Sequence, residues 1–189
     1  MAQRKRSRNG VELWPPQEHF SDRRKENWPI LVGLGANLPS PAGQPSETLI
    51  AALASMPKSG VNILQCSRFW RSAPWPPSDQ PWFVNAVAVV DSALDPGGLM
   101  AVLHAVEAQF GRQRSVPNAA RTLDLDLLAY GDVCRPGPDA PILPHPRLAE
   151  RSFVLLPMRE LVPDWRHPAT GEGLEAMIAR IPLESQAFV

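Results

Sequence analysis

Residues 121–128 read Arg-Thr-Leu-Asp-Leu-Asp-Leu-Leu, with Leu123, Leu125 and Leu127 alternating with Asp124 and Asp126. That period of two belongs to a β-strand with one buried face. Both carboxylates then project from the same face, about 6.5–7 Å apart at the backbone. Two like charges side by side repel unless something positive sits between them. Oxygen ligands at this spacing suit Mg²⁺, which takes one or two protein carboxylates and fills its other positions with water and phosphate oxygens. The plain alternative is a solvated face of an edge strand.

Around the pair in sequence stand Arg112, Arg114, Arg121, His145, Arg147 and Arg151. Arginine presents a planar fork that matches phosphate oxygens. Metal-binding carboxylates with an arginine cluster form the equipment of phosphoryl transfer, in which cations meet charge on the transferring and leaving oxygens. No Gly-x-x-x-x-Gly-Lys-Ser/Thr is present, so the chain carries no P-loop. Gly33-x-Gly35 lacks the third glycine and the following helix of a dinucleotide fingerprint. A second constellation is apolar and amide-bearing: Asn37, Trp75, Phe83, Asn85 and Phe153. Asn85 falls inside a very apolar run, where an unpaired amide costs about 1–3 kcal/mol. It is either a satisfied core amide or a group that reads a flat heterocycle, with Phe83 and Phe153 as stacking walls.

The elements that must position these residues follow from pattern. Pro29 to Ala36 reads as a buried strand, in which Gly33 and Gly35 let another backbone approach closely. Ser46 can N-cap a helix with Leu49, Ile50, Leu53 and Met56 on one face, stopped by Pro57 and Gly60. Val61 to Arg71 and Phe83 to Asp91 read as two further strands, the latter apolar on both faces and so central. A loop dense in proline and aromatics, residues 72–82, joins them. Pro96 opens a helix whose stripe is Leu99, Leu103, Val106 and Phe110, ended by Gly111. The Asp-bearing strand follows, then a short helical segment near 147–151, an apolar run from Phe153 to Met158, and a last helix over about 172–180. The order βαββαβ with a trailing α element predicts an α+β sandwich, an antiparallel sheet with helices packed on one side.

The bulk composition agrees with a single catalytic domain over residues 28–189, preceded by a flexible, basic, proline-containing extension over 1–27 on which Trp14 and Phe20 could dock. Residues 1–28 carry seven Lys/Arg against four Asp/Glu, within a chain of zero net charge. Neutrality gives no electrostatic case for nucleic acid. No apolar run approaches the roughly 18 residues a membrane-spanning helix needs. The N-terminus has no apolar signal region. Cys66 and Cys134 lack metal-ligand spacing and read as free thiols of a reducing compartment, so a cytoplasmic location is expected.

Five blocks together make a specific pattern: Gly-Leu-Gly-Ala-Asn-Leu (33–38), Ser-Asp-Gln-Pro-Trp-Phe-Val-Asn-Ala-Val (78–87), Glu-Ala-Gln-Phe-Gly-Arg-Gln-Arg (107–114), Arg-Thr-Leu-Asp-Leu-Asp-Leu-Leu-Ala-Tyr-Gly-Asp (121–132) and Leu-Pro-His-Pro-Arg-Leu-Ala-Glu-Arg-Ser-Phe-Val-Leu-Leu-Pro (143–157). From about Ile30 to Pro163 the chain resembles the 6-hydroxymethyl-7,8-dihydropterin pyrophosphokinases of folate biosynthesis. The resemblance implies a ferredoxin-like fold and transfer of the β,γ-pyrophosphoryl group of ATP to a pterin hydroxymethyl, releasing AMP. It implies that Asp124 and Asp126 hold two Mg²⁺ ions. By the same resemblance Glu107, Arg112, Arg114, Arg121, His145 and Arg151 contact ATP, with Arg112 and Arg121 nearest the transferred group. Asn37, Ser72, Trp75, Phe83, Asn85 and Phe153 would line the pterin pocket. Read from the residues alone, Glu107 is equally a solvent-facing charge. The chain departs from the family pattern in a shorter, tryptophan-free run at 117–120, in Pro146, and in Ser72-Ala73 with Pro76-Pro77. The partners implied are small molecules, ATP and a hydroxymethyl pterin, met by a monomer. Two other classes remain at this point: a non-catalytic ferredoxin-like nucleotide-binding module, and a Mg²⁺-dependent nucleotidyltransferase.

Overall fold

A computed structural model describes residues 28–113, 119–137, 141–182 and 187. The extension over 1–27 and the Arg114 assignment lie outside the described residues.

The fold grows from three long strands and two helices. β1 (Ile30–Ala36), β4 (Phe83–Asp91) and β5 (Asp124–Tyr130) carry β-branched and leucine side chains at alternating positions. α1 (Pro45–Ser55) opens with Pro45 at its first position, where the missing N–H has no intrahelical role. Its N-cap is Gln44, whose backbone N–H donates to Glu47 Oε2 at 2.7 Å, so Ser46 sits inside the first turn instead of capping it. Leu49 is buried as expected, while Ile50 is half exposed. α2 (Pro96–Gln109) is capped by Asp95, whose Oδ1 accepts from Gly98 N at 2.8 Å. Leu99, Leu103 and Val106 are buried, and Gly111 at φ +78 ends the helix as predicted.

The expected strand from Val61 to Arg71 is broken into β2 (Asn62–Cys66) and β3 (Trp70–Ser72). Both pair antiparallel with β4, on the edge opposite β1. At the break Ser67 stays tied to β4, its N–H donating to Val87 O and its Oγ accepting from Val87 N. On the far side Glu160 holds the interruption, accepting from Arg68 N at 2.9 Å and Trp70 Nε1 at 2.9 Å. The sheet order is β2-β4-β1-β5, antiparallel throughout. With β2 and β3 taken as one interrupted strand, this is the ferredoxin-like βαββαβ arrangement.

The helices cover both faces, not one. α1 and α2 pack against Val32, Leu34, Ala36, Ala86, Ala88 and Leu125. The run from Phe153 to Met158 forms α3 (Ser152–Leu161), and with α4 (Leu174–Ile178) it packs on the opposite face, over Leu31, Val87, Val89 and Leu128 around Trp165. Six apolar positions in a row mask helical periodicity, which is why this segment could not be assigned from pattern. α3 covers only part of its face. The rest is bare, and the functional constellation lies there.

Candidate active site

The uncovered half of the sheet is a row of cross-strand neighbours. Gly35 on β1 lies opposite Asn85 on β4 and opposite Asp124 on β5; one step along, Gly33 lies between Val87 and Asp126. A β-carbon added at Gly35 would stand 3.1 Å from Asn85 Oδ1, and one at Gly33 would stand 3.3 Å from a Leu128 methyl. The two glycines therefore make room for side chains, not for another backbone, and give the site a low floor between an amide and two carboxylates.

Strand alternation puts Leu123, Leu125 and Leu127 into the core and both aspartates onto this floor. Asp124 is held by two guanidinium groups: Arg112 Nη1 at 2.9 Å from Oδ1 and Arg121 Nη1 at 2.7 Å from Oδ2. Arg112 also donates to Leu123 O at 2.7 Å, and Arg121 Nε donates to Ala119 O at 3.0 Å. Arg121 further sits 5.8 Å above the Phe83 ring. Asp126 Oδ2 is met by Arg151 Nη1 at 3.1 Å, with His145 Nε2 farther off at 4.0 Å. Burial lowers the pKa of His145; Asp126 opposes that shift, and Arg151 and Arg147 reinforce it. Burial likewise lowers the pKa of Arg151, against the pull of Asp126.

The second wall is amide and aromatic. Asn85 Nδ2 donates to Ser72 Oγ at 2.9 Å, so part of its hydrogen-bonding capacity is already met inside the fold. Phe83 and Phe153 are half-buried on either side, the latter beneath the Arg151 guanidinium at 5.5 Å. Trp75 reaches the cavity but is 72% exposed, at the end of the proline-dense loop. All these groups but His145 line one cavity of about 370 Å³.

Three residues are placed differently from their expected positions. Glu107 is buried at 3% exposure and Oε1 accepts from Leu125 N at 2.9 Å, so the solvent-facing reading fails. It satisfies an amide on the outer edge of β5, which among the described residues has no further strand beside it. Asn37 is buried beneath the loops instead of on the cavity wall. Its Oδ1 accepts from Arg121 N at 2.7 Å and its Nδ2 donates to Gln80 Oε1 and Pro81 O, so it ties the Arg121 segment to the 72–82 loop. His145 stands behind Asp126, outside the cavity lining. Pattern reasoning did not single out Met100 and His104, which line the cavity with Glu107. Their spacing of four and three residues along α2 is the helical signal that could have found them.

The donor set fits Mg²⁺. No group of three or more His, Cys, Asp or Glu side chains able to hold a metal occurs among the described residues. Two carboxylates are a number that Mg²⁺ accepts when phosphate and water supply the remainder.

The family model for 7,8-dihydro-6-hydroxymethylpterin-pyrophosphokinase matches residues 31–163. The chain is 37% identical over 155 residues to the 2-amino-4-hydroxy-6-hydroxymethyldihydropteridine pyrophosphokinase of Pseudomonas aeruginosa, an alignment covering 82% of this chain and 93% of that one. It is 37% identical over 152 residues to the Synechocystis protein of the same name, covering 80% and 75%. It is also 33% identical to the Folic acid synthesis protein fol1 of Pneumocystis carinii, where 91% of this chain spans only 24% of that one. Among solved structures, an HPPK-DHPS in complex with substrates superposes with a TM-score of 0.61 at 10% identity, over 82% of this chain and 43% of the other. The Plasmodium falciparum HPPK-DHPS with pteroate gives 0.58 at 12% identity, over 82% and 45%. At those identities the superpositions show a shared fold.

Proposed function

The chain belongs to the 7,8-dihydro-6-hydroxymethylpterin-pyrophosphokinase family, and from that premise we propose that it transfers pyrophosphate from ATP to 6-hydroxymethyl-7,8-dihydropterin, releasing AMP, in folate synthesis. The observation that carries this reading is the pairing of two unlike walls on one bare sheet face. An amide, a hydroxyl and two aromatic rings suit a flat, hydrogen-bonding heterocycle, and two carboxylates among guanidinium groups suit a metal-bound triphosphate.

Asn85 and Ser72 would read the donors and acceptors of the pterin, with Phe83 and Phe153 against its faces. That placement points the hydroxymethyl group across Gly35 toward Asp124. Its oxygen forms a bond to the β-phosphorus while the bond from that phosphorus to the oxygen bridging the α-phosphate breaks; AMP keeps the bridging oxygen, and the hydroxyl proton passes to solvent. Asp124 and Asp126 would hold two Mg²⁺ ions, whose charge neutralises the triphosphate oxygens and aligns them for in-line displacement. Arg112 and Arg121, now paired with Asp124, would turn to the phosphates and meet charge as it develops. Asn37 positions Arg121 by fixing its backbone, and Arg114, Glu107, His145 and Arg151 complete the proposed ATP side. The loop over 72–82 would close over the substrates and exclude water, whose attack on ATP is the competing reaction.

Mixing the protein with ATP, Mg²⁺ and hydroxymethyldihydropterin should yield AMP and a diphosphorylated pterin in equal amounts. Pyrophosphate release would replace this reading with nucleotidyl transfer, and nucleotide binding without turnover would replace it with a binding module. The further parts of the reading are a monomer acting in the cytoplasm and a catalytic domain complete from residue 28. A chain beginning at Asn27 should keep its kcat.

A further inference from the structure

Among the described residues four arginines line the cavity, and their circumstances differ. Arg112 and Arg121 are committed to Asp124 and Arg151 to Asp126, all three largely buried. Arg147 is exposed, and among the described residues its guanidinium has neither an ion-pair nor a hydrogen-bond partner; its hydrogen bonds are made by the backbone, the N–H donating to His145 Nδ1 at 3.2 Å and the carbonyl accepting from Glu150 N at 3.3 Å. A cation left unpaired beside three paired ones is free to meet an incoming anion without first giving up a carboxylate.

Its place in the fold says which anion. The segment bearing it runs along the outer edge of β5, anchored by His145 N donating to Leu128 O at 2.8 Å. The cavity is therefore ordered from the Ser72–Asn85 wall, through Gly35 and Asp124, to Asp126, and then past the sheet edge to Arg147. A heterocycle at the first wall and a transferring group over the aspartates leave the retained part of the nucleotide at the far end. Resting on the pyrophosphokinase reading, we propose that Arg147 is a substrate-binding residue that holds the α-phosphate of ATP, the phosphate that departs with AMP. Because it contacts the leaving group, it acts on nucleotide and product equally. It makes no contribution to pterin recognition.

Calorimetric titration of the full-length protein and of Arg147→Ala and Arg147→Lys tests this, with AMP, MgATP and hydroxymethyldihydropterin as separate titrants. Arg147→Ala should weaken AMP and MgATP by similar factors, about tenfold, and leave pterin affinity within twofold; Arg147→Lys should recover part of the loss, since an ammonium keeps the charge without the fork. Loss of MgATP affinity with AMP binding unchanged would move Arg147 to the transferred phosphates and overturn the assignment. Unchanged affinity for both nucleotides would remove it from the site. An unmodified protein that binds AMP yet releases none from ATP and pterin would instead overturn the pyrophosphokinase reading, and this inference with it.

Discussion

On the side facing α1 and α2, the strands β1, β4 and β5 present Val32, Leu34, Ala86, Ala88, Leu125 and Leu127, every one buried. On the other side the same three strands present Gly33, Gly35, Asn85, Asp124 and Asp126 at one end and Leu31, Val87, Val89 and Leu128 at the other. The first face is spent wholly on burial. The second is divided, with α3 and α4 sealing the apolar end and leaving the polar end open. One backbone register serves both purposes, because neighbours along a strand point to opposite faces. The stability of the first face lets the second hold two close carboxylates above a glycine floor, features that a marginal core could not sustain.

The comparison breaks most visibly at the carboxylates. Asp124→Ala or Asp126→Ala should abolish turnover while leaving the circular dichroism spectrum near that of the parent protein, with the unfolding midpoint lowered because largely buried guanidinium groups lose their carboxylate. Loss of metal charge stabilisation costs several kcal/mol of barrier, so more than roughly a tenth of the parental kcat surviving in both variants would contradict the two-metal site. Arg121→Ala comes next. Its kcat should fall far more than its KM for ATP rises, if the guanidinium meets charge that develops during transfer; an unchanged kcat with only a raised KM would reduce it to a ground-state phosphate contact.

A change on the covered face should do the reverse. Leu103→Ala, in the heart of the α2 packing, should lose roughly 2–5 kcal/mol of stability by denaturant titration, with kcat little altered at a temperature where the variant is folded. If turnover collapsed while stability held, the separation of duties between the faces would be wrong. The mildest probe is Gly35→Ala. Its new methyl would press on Asn85 Oδ1 at 3.1 Å, so KM for the pterin should rise several-fold with little change in KM for ATP or in stability. Equal shifts in both KM values would place Gly35 under the whole cavity and not at its amide end.

Much of this was legible in the residues. The alternation of Leu123 to Leu127 put both carboxylates on one face, and the stripe of Leu99, Leu103 and Val106 gave α2 its buried side, because period and polarity are local properties of the chain. α3 was not legible. Its apolar run has no internal period to distinguish helix from strand, and only the existence of an uncovered apolar patch on the far side of the sheet decides that it folds as a helix there. Glu107 shows the same limit at the scale of one residue. Its position beside an apolar stripe allowed a solvated charge, and it is the nearness of an edge-strand amide at Leu125 that makes it a buried acceptor.

The sequence by itself determined which side chains exist to bind metal and phosphate, and at what spacing along each strand and helix they recur. Tertiary structure alone decided that Asn85, Gly35 and Asp124, remote in sequence, form one row. It also decided that Asn37 holds the Arg121 backbone and that the Arg147 guanidinium stands without a partner among the described residues. Those outcomes depend on strand order and register, which are set by how the whole chain buries its apolar surface and are written in no single segment.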